Sequence, residues 1–246
     1  MKIKYILLFM LAAVLFVSCS HPQSQDIIDK TIARCGGELY KHSKITFLFR
    51  GADFSILRNK GKFEYTKTFT DTLGNLIHDK LNNYGFTRTV NGKTIDLSDI
   101  KKEAYSNSLN SVVYFASLPY PLNDAAVRPK MLGTTKIGNE EYYKLEITFS
   151  QNAGGIDYKD RYIYWINADD YFIDYFAYYY HVNGGGSRFR KLINKRTVNG
   201  IFFADNINYK ADGILENIED YETALKNNTL EKVSEIIYEH VEVTIL

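Results

Sequence analysis

Arg161-Tyr162-Ile163-Tyr164-Trp165-Ile166-Asn167 is followed, across Ala168-Asp169-Asp170, by Tyr171-Phe172-Ile173-Asp174-Tyr175-Phe176-Ala177-Tyr178-Tyr179-Tyr180. Both runs are short, aromatic and rich in β-branched residues, and the residues between them are turn formers, so they read as two antiparallel strands. Apolar side chains occupy both phases of their two-residue period. A sheet with one wet face alternates apolar and polar residues; here both faces must be covered. Either a second layer packs on the far face, or that face lines a hydrophobic cavity.

The same texture extends outward. Segments 45–50, 62–70, 83–91, 142–150, 189–198, 201–209 and 234–246 read as further strands. Leu73-Gly74-Asn75, Asn91-Gly92, Gly138-Asn139, the 183–186 stretch and Asn199-Gly200 supply the turns. Asn-Gly between apolar runs is a strong hairpin signal because both residues tolerate positive φ. The pattern predicts an antiparallel meander with two interruptions. Residues 104–118 place Leu109, Val112, Val113 and Ala116 at helical spacing before Pro119 and Pro121. Residues 216–232 are acidic and polar, a surface helix or an excursion from the sheet. Ahead of the strands, 26–35 reads as an amphipathic helix stopped by Gly36-Gly37, with Cys35 on its buried face beside Ile28 and Ile32.

The N-terminus has a different character. Lys2 and Lys4 precede an uncharged run from Tyr5 to Val17, shorter than the roughly 20 apolar residues of a membrane-spanning helix. It reads as a processed segment. Phe16-Val17-Ser18-Cys19 resembles a lipobox, with phenylalanine where leucine is more common. The resemblance implies that residues 1–18 are removed and Cys19 is acylated, with diacylglycerol on its thiol and a further chain such as palmitate on its amine. Residues 19–25 then form a tether and 26–246 a single domain. Losing residues 1–18 removes two lysines and no acid, so the net charge falls from +1 to −1. A near-neutral chain gives no electrostatic case for nucleic acid. Cys35 becomes the only free thiol, so no intramolecular disulfide is expected.

Catalytic chemistry is not legible. His21, His42, His78, His181 and His240 show no metal-ligand spacing, and there is no Gly-x-Ser-x-Gly or Cys-x-x-Cys. Gly184-Gly185-Gly186 precedes a strand rather than a helix, so it is no phosphate cradle. Adjacent Asp169 and Asp170 suit a turn better than an acid and base pair. No enzyme activity and no cofactor are expected. The aromatic inventory remains, 20 tyrosines and 15 phenylalanines in 246 residues, which can serve as core, as a cavity wall or as partner-binding surface.

Taken together, the lipobox-like cysteine, the N-terminal helix, the interrupted strands and the hairpin Tyr142-Tyr143-Lys144-Leu145-Glu146-Ile147 … Tyr164-Trp165-Ile166-Asn167 … Tyr171-Phe172-Ile173 resemble the LolA/LolB superfamily of periplasmic lipoprotein carriers. Asn167 stands where that hairpin often has aspartate, and Asn199-Gly200-Ile201-Phe202-Phe203 lacks the proline of the family's strand entry. Cys35-Gly36-Gly37, Phe49-Arg50-Gly51 and Asn83 to Gly92 are similar to uncharacterised lipoproteins of Bacteroidota, grouped as a domain of unknown function. The resemblance implies a mainly β (α+β) fold, a half-open antiparallel β-barrel whose helices lie on or close its concave face. It implies a lipid-anchored protein of the bacterial envelope, at the outer membrane facing the periplasm.

The expected partners are the membrane, through the acyl chains, and a hydrophobic or amphipathic ligand such as an acyl chain, with no protein partner specified. The candidate wall residues are Phe47, Phe63, Tyr114, Phe115, Leu145, Trp165, Phe176 and Tyr178. The alternative is a non-enzymatic interaction module that binds a protein or glycan through exposed aromatics.

Overall fold

A computed structural model describes residues 23–150, 159–181 and 185–246. The signal-like segment, Cys19, His21 and the Asn183-Gly184 half of the 183–186 turn lie outside the described residues. Two seven-stranded antiparallel sheets make up the body. The first contains β1 (His42–Phe49), β2 (Ala52–Asn59), β3 (Lys62–Thr70), β4 (Leu76–Asn82), β5 (Gly85–Val90) and β6 (Lys93–Thr94), with the last strand, β14 (Glu239–Ile245), added beside β1. The second runs β7 (Val127–Ile137), β8 (Glu140–Phe149), β9 (Arg161–Asn167), β10 (Ile173–Tyr180), β11 (Gly186–Val198), β12 (Ile201–Lys210) and β13 (Glu231–Ile236). The fold is a half-open barrel, mainly β.

The turns explain why the chain was only partly readable. Asn91-Gly92 and Asn199-Gly200 have positive φ at both residues, as the Asn-Gly signal requires. Arg50-Gly51 and Lys60-Gly61 adopt the same conformation with a basic residue in the first position. Those turns bound β2, a strand absent from the sequence reading. β4 was also missed, because Asp79 interrupts its apolar pattern; Asp79 is buried and takes a bidentate ion pair from its cross-strand neighbour Arg88, at 2.5 and 2.7 Å. β7 was missed because it contains Pro129 and Gly133, which an edge strand tolerates.

The segment 234–246, read as one strand, is two. β13 pairs with β12 in the second sheet and β14 with β1 in the first, so the chain changes sheets at residues 237–238 and forms the corner of the half-barrel. A buried carboxylate holds this seam. Asp205 Oδ1 accepts the Tyr238 backbone N–H at 2.9 Å and Arg196 Nη2 at 3.2 Å, while Asp205 Oδ2 accepts Asn194 Nδ2 at 3.0 Å. Arg196 Nη2 also donates to the Tyr238 carbonyl at 2.7 Å.

Helix α1 spans Ser24–Arg34, two residues earlier than expected, so Ser24 and Gln25 belong to the helix rather than to a tether. Asp26 is not its first residue; it reaches back to accept the Gln23 backbone N–H at 3.3 Å. Ile27, Ile28 and Ile32 pack with Leu145, Tyr164 and Ile166 of the second sheet. Cys35 is buried, and burial pushes its thiol up to about 12. Gly36 ends the helix with φ +130°, and an added Cβ would lie 3.0 Å from the Gly200 carbonyl oxygen and 3.2 Å from Ile201 Cα. Gly36→Ala is therefore expected to cost more than about 1 kcal/mol, read as a lowered midpoint in chemical denaturation; an unchanged midpoint would mean that this close approach relaxes freely.

Both readings offered for the apolar strands apply, one to each face. On the convex side, Ile163, Trp165, Ala177 and Phe189 are covered by residues 211–230, which contain helix α3 (Asp220–Lys226); Ile218 and Tyr221 are fully buried there. The acidic 216–232 stretch is thus a cover for the sheet. Its anchor is Glu222, which accepts Trp165 Nε1 at 3.1 Å, Thr135 Oγ1 at 2.6 Å and Lys226 Nζ at 2.7 Å. Burial alone would raise the Glu222 carboxyl, but the bonds from Lys226, Thr135 and Trp165 outweigh it and hold the group at about 2.

A carboxyl depressed on folding stabilises the native state fully above its ordinary value of 4.5, and loses that contribution as pH falls toward about 2. Trp165 is the only tryptophan, so its fluorescence reports this site. Acid titration should unpack the cover over this interval in the native protein. Glu222→Gln should remove most of that pH dependence, and a variant that kept the wild-type profile would assign it to other carboxyls.

Candidate functional site

The two sheets share a core near the corner, where Ile201, Phe203 and Ile236 of the second pack with Ile45, Phe54 and Ile56 of the first. Helix α2 (Asp99–Ala116) lies between the sheets, longer than the 104–118 segment expected, and ends at Ser117 before Pro119. Leu109, Val113 and Ala116 pack on the first sheet with Ile45, Phe54 and Ile56. Tyr114 and Phe115 turn toward the second, where Phe115 stacks on Phe176 at 5.7 Å and Tyr114 lies 6.2 Å from the Tyr162 ring. The N-terminal half of α2 is tied to the first sheet by Arg88, whose guanidinium sits 3.5 Å over the Tyr105 ring.

Between α2 and the sheets lies a cavity of about 1080 Å³. Its volume is just above the roughly 300–1,000 Å³ of small-molecule pockets. Phe149, Tyr162, Tyr178 and Tyr180 line it from the second sheet, Phe49 and Tyr65 from the first, and Tyr114 and Phe115 from α2. Exposed Ile100, in the first turn of α2, stands at its rim. Burial pushes the Tyr114 phenol up to about 12 and holds Tyr164 and Tyr238 well above the usual range, so these hydroxyls stay neutral.

Of the candidate wall residues, Tyr114, Phe115 and Tyr178 line the cavity. Phe176 and Leu145 form the layer beneath them, buried against Tyr164 and its neighbours. Phe47 lies in the core of the first sheet, stacked on Phe54 at 5.3 Å and edge-on to Tyr238 at 5.2 Å. Phe63 is half-buried near the start of β3 against Tyr65 and does not reach the cavity wall. Trp165 has to be moved: strand alternation points it to the convex face, opposite Tyr164, where it bonds Glu222. Cys19 lies outside the described residues.

The sequence reading missed the polar part of the wall. Arg58, Arg188, Arg190 and Asn208 line the same cavity. In Ser187-Arg188-Phe189-Arg190 the arginines occupy the polar phase of an alternating strand, normally a solvent face. Here Ser187 and Phe189 face the α3 cover, and the arginines face inward. Among the described aromatics only Tyr84 is exposed; the others are buried or half-buried. Among the described residues no three histidine, cysteine or carboxylate side chains converge as a metal site would require.

An antiparallel half-barrel with a helix lodged in an aromatic concavity defines a LolA-like fold. A LolA superfamily protein from Nitrosomonas europaea superposes with a TM-score of 0.50 at 13% identity, over 92% of this chain and 96% of its own. The chain belongs to the family described as "Family of unknown function (DUF6503)", whose model matches residues 4–238. A domain from Vibrio parahaemolyticus, described as that of an outer membrane lipoprotein-sorting protein, gives a TM-score of 0.46 at 11% identity over 90% and 92% of the two chains. No curated protein matches the sequence.

Proposed function

We propose that this protein is a non-enzymatic lipoprotein of the bacterial envelope that binds a hydrophobic or amphipathic ligand, an acyl chain in particular, in the concavity of its half-barrel. The observation that carries the reading is the cavity of about 1080 Å³ walled by Tyr114, Phe115, Phe149, Tyr162 and Tyr178. The aromatic part of the wall suits an acyl tail and needs no catalytic residue, and the polar part, which includes Arg50, Arg58, Arg188 and Arg190, suits a polar head. The similarity to a LolA superfamily protein supports a carrier role through fold alone.

Acyl chains on Cys19 would anchor the protein, with residues 1–18 removed, at the outer membrane facing the periplasm. About 0.8 kcal/mol per buried methylene makes multiple chains a secure anchor. Residues 26–246 would form the single ligand-binding domain.

Mass spectrometry of organic extracts from the purified protein tests the ligand. Recovery of stoichiometric acyl lipid is expected, and repeated absence of any lipid would overturn the reading. For the anchor, Cys19→Ser is expected to leave the membrane fraction and lose palmitate labelling; a variant that keeps both would refute acylation at Cys19.

A further inference from the structure

We propose that the ligand of this cavity is an anionic amphiphile, a single acyl tail carrying a carboxylate or phosphate head that is held by Arg190, with Arg58 as a second guanidinium in the same cavity. The inference rests on the lipid-binding reading above and adds the charge of the cargo.

The concave wall of the second sheet is graded. Tyr162 on β9 and Tyr178 on β10 give way to Arg188 and Arg190 on β11 and to Asn208 on β12, directly opposite Arg190 in the ladder. Arg190 is only 9% exposed; its Nη2 donates to the Tyr178 hydroxyl at 2.8 Å, and its Nε has no partner. Asn208 is likewise 9% exposed, donates through Nδ2 to Ser234 Oγ at 3.3 Å, and leaves Oδ1 without a donor. Arg58, from β2, is also 9% exposed. Its Nε donates to the Tyr65 hydroxyl at 3.2 Å and its Nη2 to Ser117 Oγ at 3.3 Å, while Nη1 is unpartnered.

No carboxylate among the described residues forms an ion pair with either guanidinium. The buried Asp160 in the same wall is engaged by the His181 backbone N–H at 3.2 Å and ring Nδ1 at 3.4 Å, and Glu103 and Asp124 are exposed. Aromatic faces compensate in part: Arg190 lies 5.6 Å from both the Phe115 and Tyr178 rings, and Arg58 5.0 Å from Tyr120. The Tyr114 phenol, raised by burial, supplies no counter-charge.

A buried cation with an orphaned N–H is costly unless an anion meets it, and the planar guanidinium fork fits a carboxylate or phosphate. An acyl tail along the aromatic wall would bring such a head to the polar end of the gradient. The free Asn208 oxygen beside it suits a hydroxyl or protonated oxygen of the same head.

The test uses the delipidated full chain with three probes of equal tail length: palmitate, palmitoyl lysophosphatidylglycerol and uncharged monopalmitoylglycerol. At least one anionic probe is expected to bind about tenfold or more tightly than the neutral one, as a charge-assisted bond would give; which of the two is tighter assigns carboxylate or phosphate. Arg190→Gln should bring that probe down to the neutral level while monopalmitoylglycerol binding persists.

Asn208→Asp, which places an internal counter-ion opposite Arg190 and keeps the guanidinium, should do the same, so that a misfolded Arg190 variant would not shield the proposal. Equal binding of all three probes by the native protein would overturn the anionic head and leave the lipid reading standing. Retained preference in a folded Arg190→Gln and in Asn208→Asp would also overturn it. Failure of all three to bind would overturn the lipid reading itself.

Discussion

Trp165→Ala is expected to destabilise the protein by about 3–5 kcal/mol, as truncating a fully buried aromatic does, without changing the lipid bound per folded molecule. The side chain is fully buried and sits 5.8 Å edge-on to Phe189 on the convex face. Its removal leaves a void beneath α3 and takes one donor from Glu222. Denaturant unfolding measures the first effect, and lipid extracted from the folded fraction measures the second. A stable variant stripped of lipid would return Trp165 to the cavity wall.

Asp205→Ala is the second large effect. Asp205 is the one acceptor shared by the Tyr238 N–H, Arg196 and Asn194 at the corner where the chain changes sheets. Its loss strands a buried backbone donor and removes a charge-assisted bond, together about 3 kcal/mol. The damage should be local before it is global. Amide hydrogen exchange is expected to rise first at residues 236–243 and along the facing end of β12, with the β2–β3 and β8–β9 ladders still protected. Uniformly raised exchange would show that the seam is no weaker than the sheets it joins.

Much of the architecture was legible because strand propensity and turn chemistry agree in this chain. The 62–70 and 161–167 strands fall where they were expected, and the Asn199-Gly200 turn has the backbone its sequence demands. The failures share a cause: residues whose role depends on a distant partner. Asp79 looks like a break in a strand until Arg88 faces it, and residues 237–238 carry no local mark of a change of sheet.

At the site, the helical spacing of Leu109, Val112, Val113 and Ala116 made α2 legible, and that helix carries Tyr114 and Phe115 to the cavity. The assignment of Trp165 failed because two apolar phases do not say which faces the concavity. Arg190 was invisible because polar residues in an alternating strand read as a wetted surface, and Arg58 because β2 itself was not read; only tertiary closure buries them.

An unclosed barrel keeps free strand edges, which in isolation invite another chain to extend the ladder. The two edges flanking the α2 gap are poor templates. β6 offers only Lys93–Thr94. β7 is long, yet Pro129 lacks an amide donor there, and Arg128, Lys130 and Lys136 project as exposed cations. The mouth can therefore stay open without presenting a seed for edge-to-edge aggregation, and the proline and glycine that hid β7 from the sequence reading serve that end.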